Sequence, residues 1–116
     1  MIEVAADTFH LVGRGDAVPN DFVVPYYLHD LKRRISIARV DNRLYAFDYL
    51  CTCAREACPL SGGLLAGTTI MCQCHGSRFD ITTGAVLNGP ATEALGVYAV
   101  EEVGGSIQVR VHTIVQ

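Results

Sequence analysis

All five cysteines of this 116-residue chain fall in two short boxes. The first runs Cys51-Thr52-Cys53-Ala54-Arg55-Glu56-Ala57-Cys58-Pro59-Leu60, and the second runs Cys72-Gln73-Cys74-His75-Gly76-Ser77-Arg78-Phe79-Asp80. One of the four histidines, His75, lies in the second box. Sulfur and imidazole gathered into two loops suit a soft, thiophilic metal such as iron or zinc. Cysteines that served only as small core hydrophobes would be scattered along the strands. The candidate donors are therefore Cys51, Cys53, Cys58, Cys72, Cys74 and His75.

Composition narrows what surrounds such a centre. The chain has the length of one domain with one core, and it carries a net charge of −3 with 50% apolar residues. That charge leaves no electrostatic footprint for nucleic acid. The basic run Lys32-Arg33-Arg34 reads as a solvated hairpin tip. No apolar run approaches the length that spans a bilayer, so no membrane partner is expected. The first residues lack the basic start and apolar core of a secretory leader. A cytoplasmic location is expected, and reducing conditions there favour metal or redox roles for cysteine.

The elements that must carry the boxes read as short strands. Phe22–His29, Lys32–Val40 and Arg43–Asp48 form a three-stranded meander that ends just before the first box. Asp41-Asn42 supplies its second turn, because both residues tolerate positive φ. Thr68–Cys72 leads into the second box and Ser77–Ile81 leads out, so that box caps a hairpin. Gly96–Glu102 and Ser106–His112 make a last hairpin around Gly104-Gly105, with Ile107, Val109 and Val111 alternating against polar neighbours. Tyr26-Tyr27 and Tyr45-Phe47 read as sheet core. His10, His29 and His112 have no partner motif and read as ordinary histidines. Gly62-Gly63 lies in no phosphate-loop context. About nine short strands and no helix predict an all-β sandwich or barrel.

The residues between Cys53 and Pro90 resemble the Rieske-type ferredoxins and the Rieske domains of cytochrome bc-type complexes. The likeness is carried by Cys72-Gln73-Cys74-His75-Gly76-Ser77, Pro59-Leu60-Ser61, Phe79-Asp80, Thr83-Gly84 and Gly89-Pro90-Ala91, and extends more thinly from Val23 to Val111. It implies a single Rieske-type domain over residues 1–116, a small β-sandwich with a cluster-binding subdomain formed by loops at about 51–63 and 72–80. It also implies a [2Fe-2S] cluster held by two cysteines on an inner iron and two histidines on an outer one. Imidazole ligation raises the potential and links reduction to protonation.

The first box departs from the family's Cys-x-His. Aligning Cys53-Ala54-Arg55 there leaves sixteen residues, 56–71, before Cys72, within the family range, and puts Arg55 where the first histidine belongs. Aligning Cys51-Thr52-Cys53 instead leaves eighteen residues, too many. The resemblance therefore assigns Cys53 and Cys72 to the inner iron and His75 to the outer. A guanidinium has no acceptor and does not normally ligate metal, so the fourth donor is Cys51 or else Arg55 through a neutral guanidine nitrogen, with reduced Cys58 or an exogenous ligand as further options. In the same alignment Cys58 and Cys74 match the extra cysteine pair that forms a disulfide in bc-type domains, and two reduced buried thiols remain the other reading.

Around the centre, the resemblance places Ser77, Gly76 and Pro90 beside the cluster. The Ser77 hydroxyl stands where relatives hydrogen-bond a cluster sulfur, and Phe79 replaces a tyrosine found in high-potential relatives. The expected function is a ferredoxin, a carrier and not itself an enzyme, passing single electrons from a flavin-dependent reductase to a terminal oxygenase or similar acceptor. Its expected contact surface is His75, Gly76, Arg55 and the Pro90 loop. Two alternatives carry different expectations. One is a cluster-free small subunit of a larger reductase; the other is a mononuclear iron or zinc site built from Cys53, Cys72, His75 and one more thiol.

Overall fold

The computed structural model describes residues 4–29, 32–52 and 58–115. Ten strands occur among them: β1 (Val4–Arg14), β2 (Phe22–Leu28), β3 (Arg33–Val40), β4 (Arg43–Asp48), β5 (Leu64–Ala66), β6 (Thr69–Met71), β7 (Arg78–Asp80), β8 (Val86–Asn88), β9 (Val97–Val103) and β10 (Ser106–Val115). The only helical turns described are short 3-10 segments at Gly15–Ala17 and Leu60–Gly62. The all-β architecture expected from the residues is the one observed.

The strands form two antiparallel sheets. One has six strands in the order β1-β10-β9-β4-β3-β2, and the other is the meander β5-β6-β7-β8. The two-residue turn at Asp41-Asn42 has φ values of 50° and 65°. Both are left-handed, which matches the twist of a two-residue hairpin.

β3 and β4 sit centrally and are buried on both faces. Ile35, Ile37 and Ala46 point into one core with Val18, Leu28, Ile107 and Val109. Ala38, Val40 and Phe47 point the other way, into a core shared with Ile70, Phe79 and Ile81 of the smaller sheet. The period-2 geometry of a strand sends adjacent side chains to opposite faces, so one strand serves both cores. Ser36, buried between them, donates its hydroxyl to the Asp48 carbonyl at 3.2 Å. That bond offsets the cost of burying the hydroxyl.

The end of β4 is fixed before the chain enters the first box. The Tyr98 hydroxyl donates to Asp48 Oδ1 at 2.6 Å, and the Gly96 amide donates to Oδ2 at 2.8 Å. Burial, reinforced by the Asp48 carboxylate, pushes the Tyr98 phenol up to about 12. The smaller sheet is closed by Gly84, whose amide donates to the Asp80 carbonyl and whose carbonyl accepts from Leu95.

β1 is the element the residue pattern did not announce. Its Phe9 and Leu11 face outward, with Leu11 71% exposed, while His10 is buried. The Arg110 guanidinium covers Phe9 at 4.4 Å from the ring centroid. Tyr27 also departs from expectation: it is 44% exposed instead of lying in the core.

Two outcomes follow. Gly84 holds φ +83°, and a Cβ there would lie 2.1 Å from the Leu95 carbonyl oxygen. Gly84→Ala should cost about 2–4 kcal/mol in denaturant unfolding. The Tyr98 shift favours the neutral phenol in the fold. Its contribution is full below pH about 10 and fades as pH rises through about 12. The alkaline fall in stability should therefore be shallower in Tyr98→Phe than in the parent, read from unfolding midpoints across that interval.

Candidate metal centre

The first box leaves β4 through Tyr49 and Leu50 and returns through Cys58, Pro59 and Leu60. Its two arms pair at the base: Leu50 bridges Pro59, the Cys51 amide donates to the Cys58 carbonyl at 2.9 Å, and the Leu60 amide donates to the Tyr49 carbonyl at 2.7 Å. Thr52 Oγ1 donates to the Glu93 carbonyl at 2.5 Å, tying this arm to the segment before β9. Cys53 and Arg55 lie outside the described residues. Cys51 is buried, in the same core cluster as Leu60, Ile70 and Cys72.

The second box caps the β6–β7 hairpin, in which Met71 pairs with Arg78. The Cys72 amide donates to the Ser77 carbonyl at 2.8 Å, and the Gly76 amide donates back to the Cys72 carbonyl at 3.0 Å. Gly76 takes φ +79°, a conformation glycine adopts at little cost. This tight loop separates its side chains by environment. Cys72 is only 1% exposed, whereas Cys74 and His75 face solvent.

Cys58 and Cys74 are joined by a disulfide, with their Cα atoms 6.4 Å apart. The sulfurs of Cys58, Cys74 and Cys72 lie within 4.8 Å of one another. Sulfurs in a disulfide are not thiolates, the form in which cysteine binds metal. Of this trio, only Cys72 is a donor.

A third segment closes the site. Ser77 is fully buried, and its Oγ accepts from the Ala91 amide at 3.0 Å. That bond holds the Gly89-Pro90-Ala91 turn against the second box, with Pro90 exposed and Ala91 buried. An accepting hydroxyl oxygen still carries its own hydrogen to donate. Phe79 is buried in the core below and offers no hydroxyl.

The described donors fit a cluster with unlike ends. A sulfur in a dry core suits an inner iron, and an exposed imidazole a few residues along the same loop suits an outer iron beside solvent. Two features escaped the residue pattern. The Tyr98–Asp48 clamp joins groups fifty residues apart and has no local signal. The Ser77–Ala91 bond spans fourteen residues, and only the resemblance singled out Ser77.

Comparison with known proteins agrees with this fold. Residues 8–99 match the family model described as the Rieske [2Fe-2S] domain. A curated relative from Ralstonia sp., the ferredoxin component of naphthalene 1,2-dioxygenase and salicylate 5-hydroxylase systems, is 35% identical over 86 residues, covering 74% of this chain and 79% of that protein. Among solved structures, the Sphingomonas yanoikuyae B1 ferredoxin superposes with a TM-score of 0.79 at 25% identity, covering 88% of this chain and 97% of that one. A chain from the complex of oxygenase and ferredoxin in carbazole 1,9a-dioxygenase gives 0.76 at 27% identity, covering 87% and 91%.

The disulfide closes the two boxes across a sequence separation of 16. The double variant Cys58→Ser/Cys74→Ser should lose about 2–4 kcal/mol of unfolding free energy. Adding a phosphine reductant should bring the parent toward the variant. Equal stability in guanidinium titration would show that the bond constrains nothing.

Proposed function

Because this chain belongs to the Rieske [2Fe-2S] domain family, we propose that it is the ferredoxin of an oxygenase system, accepting single electrons from a flavin-dependent reductase and delivering them to a terminal oxygenase or similar acceptor. The family's cofactor is a [2Fe-2S] cluster, which when bound stores and releases one electron. The observation that carries the reading is the division within one loop between buried Cys72 and exposed His75.

Each residue has a distinct task in this reading. Cys53 and Cys72 would hold the inner iron, and the apolar core around Cys72 would keep water from it. His75 holds the outer iron and presents the exit for the electron. Ser77 orients the Pro90 turn by accepting from Ala91, and its own hydroxyl hydrogen would be available to a cluster sulfur, a bond that would favour the reduced state. The second donor at the outer iron belongs at residue 55. The alternative, Cys51, sits in the hydrophobic core, on the dry side where the outer iron does not belong.

The chain acts as a carrier and not as an enzyme by itself. Relatives named as ferredoxin components support this. We place it in the cytoplasm. No described helix is long and apolar enough to cross a membrane. The Rieske reading further implies weak, transient docking at the loop tips, as redox encounters bury little surface.

Visible absorption with iron and sulfide analysis tests the assignment on anaerobically prepared protein. Cys72→Ser should abolish the chromophore and the bound iron while the far-ultraviolet dichroism of the β fold persists. Arg55→His should shift the spectrum toward the two-histidine type and raise the potential, and Cys51→Ser should change neither. An unchanged Arg55→His spectrum would remove residue 55 from the outer iron. Iron without sulfide would instead indicate a mononuclear site, and a colourless, iron-free parent after reconstitution would indicate a cluster-free scaffold.

A further inference from the structure

The basic run Lys32-Arg33-Arg34 opens β3 at the end of the sheet where β4 passes into the first box. It is exposed, but it is not simply solvated. Lys32, Arg33 and Arg34 line one open cleft of about 480 Å³ together with Tyr27, Tyr49 and Leu50. The Arg34 guanidinium lies 5.8 Å from the ring centroids of both Tyr27 and Tyr49, and that of Arg33 lies 5.5 Å from Tyr98. A guanidinium stacked on a ring is held in place with its N–H donors pointing outward, the geometry that grips a carboxylate.

Among the described residues, the one acidic residue that lines the cleft offsets only one of its three cations. That residue is Asp48, whose two oxygens already accept from the Tyr98 hydroxyl and the Gly96 amide. The described ion pairs, Arg14–Asp16 and Arg39–Glu102, involve other residues. Three consecutive cations therefore stand together on a chain whose net charge is −3. Apolar surface flanks them: Tyr27 is 44% and Leu50 41% exposed.

We propose that the Tyr27–Arg34–Tyr49 cleft docks an acidic, partly apolar segment of a partner protein, orienting that partner beside the metal centre. Two observations favour a protein over a small anion. The cations are open to solvent, where a single carboxylate gains little and several spaced carboxylates gain more. The cleft is also tied to the cluster loops through bonded contacts: Leu50 bridges Pro59, and the neighbouring Cys58 is bonded to Cys74, the residue before His75. A partner seated on Leu50 thus sits on the loop whose returning arm is bonded to the second box. The identity of that partner as a redox protein rests on the carrier reading; the chemistry of the cleft does not.

The test is calorimetric titration of the intact protein with the peptide acetyl-Glu-Leu-Glu-Glu-Phe-Glu-Glu-amide at low ionic strength. Arg33→Ser/Arg34→Ser should weaken binding by about tenfold or more. The equal-charge control Arg14→Ser/Arg43→Ser should change it by no more than about twofold, and salt that shortens the screening length to a few ångströms should abolish it. No binding by the parent, equal losses in the two pairs, free glutamate binding as tightly as the peptide, or an oligothymidylate binding more tightly would each overturn the proposal. The visible spectrum of the same samples is read separately. A missing chromophore counts against the carrier reading and leaves the cleft to be judged by the titration.

Discussion

The site depends on one constraint: two loops from different parts of the chain must be held face to face. The smaller sheet alone cannot do this, because its strands are only three residues long. The Cys58–Cys74 bond joins the returning arm of the first loop to the second loop. Beneath it, the Leu50–Pro59 bridge and the Cys51–Cys58 backbone bond close the first loop on itself. The Ser77–Ala91 bond then brings in the third segment. Each tie orders a stretch whose backbone freedom would otherwise oppose a preorganised site.

Solvent access then divides the labour within the second box. The turn Cys72–Ser77 is tight enough that a fully buried sulfur and an exposed imidazole come from one hairpin cap. Beneath them, Phe79, Ile70 and Leu60 form the apolar floor. Such a floor keeps the dielectric low around the inner donor, and the outer donor stays within reach of a partner. The larger sheet anchors this cap through the doubly buried strands β3 and β4 and the Asp48–Tyr98 clamp.

Much of this was legible in the residues because the signals are local. Asp41-Asn42 marked its turn through side chains that tolerate positive φ. The alternation of Ile107 and Val109 marked β10, and the β-prone runs Thr68–Cys72 and Ser77–Ile81 on either side of the second box marked the hairpin cap. What was not legible is either inverted or distant. β1 hides because Phe9 and Leu11 face out while His10 faces in, reversing the usual strand pattern. Tyr27 looks like core by type, yet it lies open to solvent beneath a cation. Lys32-Arg33-Arg34 reads as a plain solvated tip until folding places three tyrosines against its guanidinium groups.

Pulsed electron paramagnetic resonance of the dithionite-reduced protein most directly tests the claim that these loops hold a diiron centre with an imidazole on its outer side. In protein isotopically labelled at histidine alone, strong coupling to histidine nitrogen, lost when His75 is replaced by Cys, is the result required. A cluster signal free of coupling to the labelled histidine nitrogen, or such coupling that survives the replacement of His75, would contradict it.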